Sequence, residues 1–275
     1  LTALALALGA SLAWGVADFA GPLAGRRLGT LRVLLWAQVG GLVAIALAVA
    51  VRGERPQQWA VLLAIPAACA GTLGLWAYYR GIAAGAISVV APIAGASAVI
   101  PVVYGIATGD SPSALQLGGI ACAIVGVVLA SLEHQAGARR IAAGVGLALL
   151  AALGFGFYFP PMHAAGKADF WWASLVFRTT ALLVIATAVG VQRPNLRLRP
   201  RDLAIVFAVG IGDTIGNALY AASSGHGLVS LTAVLASLYP IVTVLLAAAV
   251  LSERTAPAQK AGIALTLAGV ILISV

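Results

Sequence analysis

Apolar runs of about twenty residues recur from one end of the chain to the other, and the short gaps between them hold most of its charge. A run of that length crosses a hydrocarbon layer about 30 Å thick as a single α-helix. Only 9% of the 275 residues are charged and 62% are hydrophobic, whereas a soluble domain carries roughly a quarter charged residues to cover its surface. Lipid must therefore solvate most of this chain. The runs are read as spans near 3–23, 31–51, 58–79, 86–107, 114–132, 141–162, 170–190, 202–222, 228–250 and 257–275. Ten such helices occupy roughly 200 residues, which leaves no room for a soluble catalytic domain. The expected fold is an all-α membrane protein with ten transmembrane helices.

The gaps carry helix-breaking residues: Gly25-Arg26-Arg27, Arg52 to Pro56, Gly109 to Pro112, Gly137 to Arg140, Arg193 to Arg201, and Ser252-Glu253-Arg254. The net charge of +8 sits in these gaps, where positive-inside topology explains it; no nucleic-acid partner is expected. The 32 glycines suit helices that associate by close backbone approach in lipid. Cys69 and Cys122 lie inside apolar runs with no ligand spacing around them and read as small buried hydrophobes. The first apolar stretch reads as a true span, with no cleavable leader evident.

An internal repeat decides the architecture. A shift of 141 residues lays Trp14-Gly15 on Phe155-Gly156 and Leu34-Leu35-Trp36 on Leu175-Val176-Phe177. A shift of 143 lays Gly119-Ile120 on Gly262-Ile263, Gly126-Val127 on Gly269-Val270, Gln116 on Gln259 and Asp110 on Glu253. The halves, 1–135 and 136–275, read as two five-helix repeats. Five is odd, so the second copy is expected to enter the membrane from the opposite face. The basic residues fit that inversion. Arg52, Arg55 and Lys167 fall on the face shared with the termini, twelve others fall on the opposite face, and Arg178 lies inside a span. Positive-inside places the twelve in the cytoplasm and both termini outside.

Inverted repeats of this kind bind solute near the midplane, so polar and helix-breaking residues within spans are the candidates. Asp18 lies well along the first span, before Gly21-Pro22. Arg178 lies in the seventh, and Asp213 lies in the eighth with Asn217 one turn on. The aspartates suit an ammonium or a proton and the arginine a carboxylate; the competing reading is a structural Arg178–Asp213 pair between neighbouring helices. Trp14, Trp76, Tyr78, Tyr79, Tyr158 and Tyr239 are candidates to wall a pocket, although aromatic residues in spans also serve packing and interfacial belts. The fourth span contains Ser88, Pro92 and Ser97, and the ninth contains Ser237, Tyr239 and Pro240. Prolines there free backbone carbonyls at equivalent places in the two halves, which points to a cavity. Pro160-Pro161 is expected to break the sixth span as a hinge, and His163 to sit at its interfacial end. His226 reads as loop.

No catalytic constellation stands out. The three histidines are scattered, no His, Cys or Glu cluster has metal spacing, and no glycine-rich loop joins a strand to a helix. Neither an enzyme, nor a cofactor, nor a bound metal is expected.

Taken together, the two five-span halves, the Trp14-Gly15 and Phe155-Gly156 pairs, Arg178 in the second helix of the second half, and the acidic turns at Asp110 and Glu253 before Gly-Ile…Gly-Val helices resemble the drug/metabolite transporter superfamily, in particular its ten-span EamA-type members. Ala37 stands where the first half would carry a counterpart of Arg178, and Asp110 replaces the usual glutamate. The resemblance implies export of amino acids and related metabolites across a bacterial inner membrane, and the aromatic content is similar to that of exporters of aromatic and neutral amino acids. The expectation is an amino-acid exporter, with threonine and methionine also among its candidate substrates, working by alternating access as a monomer in the bilayer. Its cavity would be lined by the first, third, fourth, sixth, eighth and ninth spans. The alternatives are a sugar, nucleotide-sugar or drug carrier of the same superfamily, and, from another class, a non-transporting scaffold or an embedded enzyme.

Overall fold

The structure, a computed structural model, describes residues 1–56, 58–83, 94–131, 138–250 and 257–274. Helix α1 spans Thr2–Leu28 and α2 spans Thr30–Arg52. They are joined at Gly29, whose φ of 94° is open to glycine at little cost. A left-handed Gly53 ends α2. A 3-10 turn at Trp59–Leu63 leads into α3, Ala64–Ala83, and another at Ala96–Ala98 leads into α4, Val99–Ala107. Then come α5 (Ala114–Ser131), α6 (Ala138–Gln192), α7 (Pro200–Ser223), α8 (Val229–Ala236), α9 (Tyr239–Val250) and α10 (Pro257–Ser274). Among the described residues there is no strand.

Five stretches are long and apolar enough to cross a membrane: Thr2–Leu28, Thr30–Arg52, Trp59–Ile82, Gly146–Gln192 and Pro200–Ser223. The fourth of these holds 47 residues, enough for two crossings, and α6 is indeed two helices meeting at a break. That break corrects the sequence reading. The helix continues through Pro160-Pro161 and leaves helical geometry only at Asp169. Asp169 starts the second arm by accepting from the Trp171 and Trp172 amides at 3.0 and 3.2 Å, as an N-cap does. Its carboxylate is held by Arg52 at 2.8 Å, and the Trp172 indole donates to the Glu54 carbonyl. His163 lies five residues before the end of the first arm, and its side chain is buried. Shorter apolar helices cover Ala96–Ala107, Ala114–Leu129, Val229–Thr243 and Lys260–Ile273. The interruption expected in the ninth span lies between α8 and α9, at residues 237–238. The 3-10 turn at 96–98 stands at the equivalent place of the first half. Ser88, Pro92 and Glu253 lie outside the described residues.

Packing follows the glycines. α1 lies along α7, α3 along the first arm of α6, and α2 against both α7 and the second arm of α6. Gly216 of α7 sits on the Trp14 ring, while Gly74 of α3 sits on Phe155. Gly15 of α1 meets Val242 of α9, while Gly156 of α6 meets Ile100 of α4. Where α5 crosses α10, Gly119 touches Gly269 and Gly126 touches the Gly262 carbonyl. Numbers rise on one helix as they fall on the other, so these two run antiparallel.

Hydrogen bonds fix the two ends of the bundle. At one end Arg27 pairs with Asp202, Arg26 donates to the Ile82 carbonyl, Arg32 to the Arg197 carbonyl and the Trp36 indole to the Leu196 carbonyl. At the other, Asp110 accepts from the Ser230 amide at 2.8 Å and caps the start of α8, and Arg52 holds Asp169.

Candidate functional site

Between these ends the helices part around a partly open cavity. Its wall draws on both halves: Trp14 and Asp18 from α1, Gln38 from α2, Gly71, Thr72 and Leu75 from α3, Phe155, Tyr158, Phe159 and Phe177 from α6, Asp213 and Asn217 from α7, and Tyr239 from α9. The aromatic rings form one connected cluster. Trp14 stands edge-on to Tyr158, Phe159 and Tyr239 at centroid distances of 5.8, 6.2 and 6.4 Å, in the orientation the ring quadrupoles favour. Small residues make this possible, because Trp14 lies over Gly216 and Tyr158 lies beside Gly71.

One side of the cavity is backed by a buried ionic network. Arg178, 1% exposed, donates to Gln38 Oε1 at 2.6 Å and to Asp213 Oδ2 at 2.7 Å. Asn217 donates to the Asp213 backbone carbonyl at 2.7 Å and approaches its carboxylate at 3.4 Å. The network joins α2, the second arm of α6 and α7, so three helices are tied by one guanidinium. The structural pair weighed from sequence is therefore present, and it takes up both terminal nitrogens of Arg178. Gly41 and Gly210 let α2 and α7 approach closely enough to enclose it.

Asp18 is placed differently. It lines the cavity and is only 8% exposed, yet among the described residues its carboxylate has no hydrogen bond or ion pair. The Thr72, Tyr158 and Tyr239 hydroxyls, on three further lining residues, are buried without a partner. Buried polar groups are nearly always satisfied, so three such hydroxyls and the Asp18 carboxylate around one cavity mark a place where an incoming molecule or water completes the hydrogen bonding. Among the described residues no group of three His, Cys, Asp or Glu side chains could hold a metal ion.

Of the residues singled out from sequence, the fold brings Trp14, Asp18, Tyr158, Asp213, Asn217 and Tyr239 together on the cavity wall. Arg178 stands directly behind that wall. Tyr78 and Tyr79 are buried beyond it: Tyr78 packs on Phe155 at 5.8 Å, and the Tyr79 hydroxyl abuts Gly21. Trp76 does not reach the cavity and lies under the Arg80 guanidinium, 5.8 Å from its carbon. Ser97 is buried in the turn before α4 without a partner, and Ser237 donates to the Val234 carbonyl at 2.8 Å. The wall also includes the second and seventh spans, through Gln38 and Phe177, which the sequence reading left out, as it did Thr72 and Leu75.

The model of the EamA-like transporter family matches the chain over residues 1–132 and again over 142–275. A crystal structure described only as that of a protein aligns with a TM-score of 0.79 at 17% identity, covering 98% of this chain and 95% of its own; it speaks to the fold alone. A search of curated proteins gives no match. Two copies of one family unit thus account for nearly all of this multi-pass membrane protein, and the chain belongs to the EamA-like transporter family.

Proposed function

We propose that the protein exports amino acids, neutral or aromatic ones above all, across a bacterial inner membrane. Its ten spans form two inverted five-helix repeats that rock about the central cavity and expose it to each side in turn. The observation that carries this reading is the cavity itself: both halves contribute to one wall, and unsatisfied polar groups stand among aromatic rings. An ammonium group finds Asp18 and the free side of Asp213. A carboxylate finds the hydroxyls of Thr72, Tyr158 and Tyr239. An apolar side chain finds Trp14, Phe155 and Phe159. Phosphorylated solutes such as nucleotide sugars would require several free basic groups at the cavity, and the cation nearest to it, Arg178, is already committed.

The inversion is supported by the antiparallel crossing of α5 and α10, the last helices of the two repeats. A two-fold axis along the helices would make them parallel, so their opposite directions favour an axis lying in the membrane plane. One chain encloses the cavity, which supports a monomer as the working unit. Positive-inside puts the end holding Arg26, Arg27 and the 193–201 segment in the cytoplasm. The reading is tested by counterflow into liposomes containing the purified protein, screened over the proteinogenic amino acids. Exchange of phenylalanine, tyrosine, tryptophan, methionine or threonine above protein-free liposomes is expected. Exchange of none of the twenty would overturn the substrate class.

A further inference from the structure

We propose that the charge recognised in this cavity is positive: the preferred ligand is an organic amine with an aromatic or apolar body, anchored by Asp18, and a carboxylate on the same molecule is not read by Arg178. The inference rests on the reading of the cavity as the transported solute's site, and it specifies what that site selects.

A carboxylate is bound well by arginine when two N–H groups face it in parallel. Arg178 cannot offer that fork, because Nη1 is on Gln38 and Nη2 on Asp213. Its remaining Nε is buried without a partner and faces Gly41 at the α2–α7 contact, and Arg178 is absent from the cavity lining. Asp213 is neutralised by this arrangement. Asp18 is not. It lines the cavity from α1, the helix packed along α7, and is more than nine-tenths buried, with no hydrogen bond or ion pair among the described residues. The acidic and basic side chains of the site thus leave one carboxylate uncompensated.

A carboxylate buried within a membrane protein requires a proton or a counter-cation. The surroundings suit an organic cation in particular. Trp14, Phe155, Tyr158 and Tyr239 line the same cavity, and aromatic faces attract a cation through their quadrupoles, most strongly where water is excluded. An ammonium group donates up to three hydrogen bonds, and the Asp18 carboxylate, without a partner among the described residues, is there to accept them. An anion would meet Asp18 with no free cation to offset it.

The test compares three probes on the full-length purified protein by equilibrium binding: L-phenylalanine, phenethylamine, which keeps the amine alone, and 3-phenylpropionate, which keeps the acid alone. Phenethylamine is expected to bind within about tenfold of phenylalanine or more tightly, and 3-phenylpropionate at least about 100-fold more weakly than phenethylamine. Asp18→Asn is expected to weaken phenethylamine binding at least about 30-fold at an unchanged unfolding temperature, with Asp18→Glu restoring part of the loss. Equal binding of the acid and the amine, no binding of phenethylamine, or a folded Asp18→Asn protein that binds the amine normally would each overturn the inference. Should Asp18→Asn not fold, the amine-against-acid comparison on the unsubstituted chain decides. The two proposals fail separately: amine bound and carried while no amino acid exchanges would end the amino-acid reading alone, whereas phenylalanine exchange with the acid binding as well as the amine would end this one.

Discussion

On the first helix of each half an aromatic residue covers a glycine of the other half: Trp14 lies on Gly216 and Phe155 on Gly74. The next residues, Gly15 and Gly156, meet Val242 and Ile100, again across the halves, and Gly119 and Gly126 meet their counterparts on α10. The packing is reciprocal. The ionisable groups are not. Arg178 corresponds to Ala37, Asp213 to Thr72, and Asp18 to Phe159 under the 141-residue shift. The second half therefore holds a closed ion pair, while the first half holds an open carboxylate. The two halves thus share contact surfaces built on small residues at matched positions, while the ionisable groups at the cavity differ between them.

The largest effect should come from breaking the closed side of this comparison. Arg178→Ala leaves Asp213 without its partner, and removing one member of a buried pair costs about 3–5 kcal/mol. A clear fall in the unfolding temperature in detergent, with loss of transport, is expected. The double substitution Arg178→Met with Asp213→Leu should restore most of the stability and none of the transport. Next comes the reciprocal packing. Gly126→Val and Gly269→Val, equivalent under the 143-residue shift, each push a side chain into the same α5–α10 crossing, and overpacking of this kind costs about 1–3 kcal/mol. The two losses should be similar; a large inequality would break the claimed reciprocity. Asp110→Ala removes the cap on α8 and should lower stability by about 1 kcal/mol, read in the same melts. Smallest in stability is Tyr239→Phe. Its hydroxyl has no partner among the described residues, so stability should hold within about 0.5 kcal/mol, while solute affinity falls if the hydroxyl serves the ligand.

Much of this was legible in the sequence because lipid demands long apolar helices, and a charge inside one stands out. Arg178, Asp213 and Asp18 were visible for that reason, and Trp14 and Phe155 because the repeat aligned them. Gln38 and Thr72 were not, since an uncharged polar side chain in a span carries little signal until its neighbours are known. The placement of the tyrosines after Leu75 turned on position along the helix. Gly71, Thr72 and Leu75 face the cavity, and Tyr78 and Tyr79 continue that face one turn further, past the cavity and onto Phe155 and Gly21. Trp76 points off this face. Pro160-Pro161 misled because the helical backbone continues through the pair, and the break falls at Asp169, where a capping carboxylate and Arg52 stabilise a new start.

The claim beneath all of this is that the two halves cross the bilayer in opposite senses. Arg26 and Lys167 are exposed, stand 141 residues apart, and lie in the last turn of the first helix of each half. Single cysteines at these two positions, with Cys69 and Cys122 replaced, can be labelled by a membrane-impermeant thiol reagent in intact cells and in inverted vesicles. The account predicts that Lys167→Cys labels from one side and Arg26→Cys from the other. Labelling of both from the same side would contradict it.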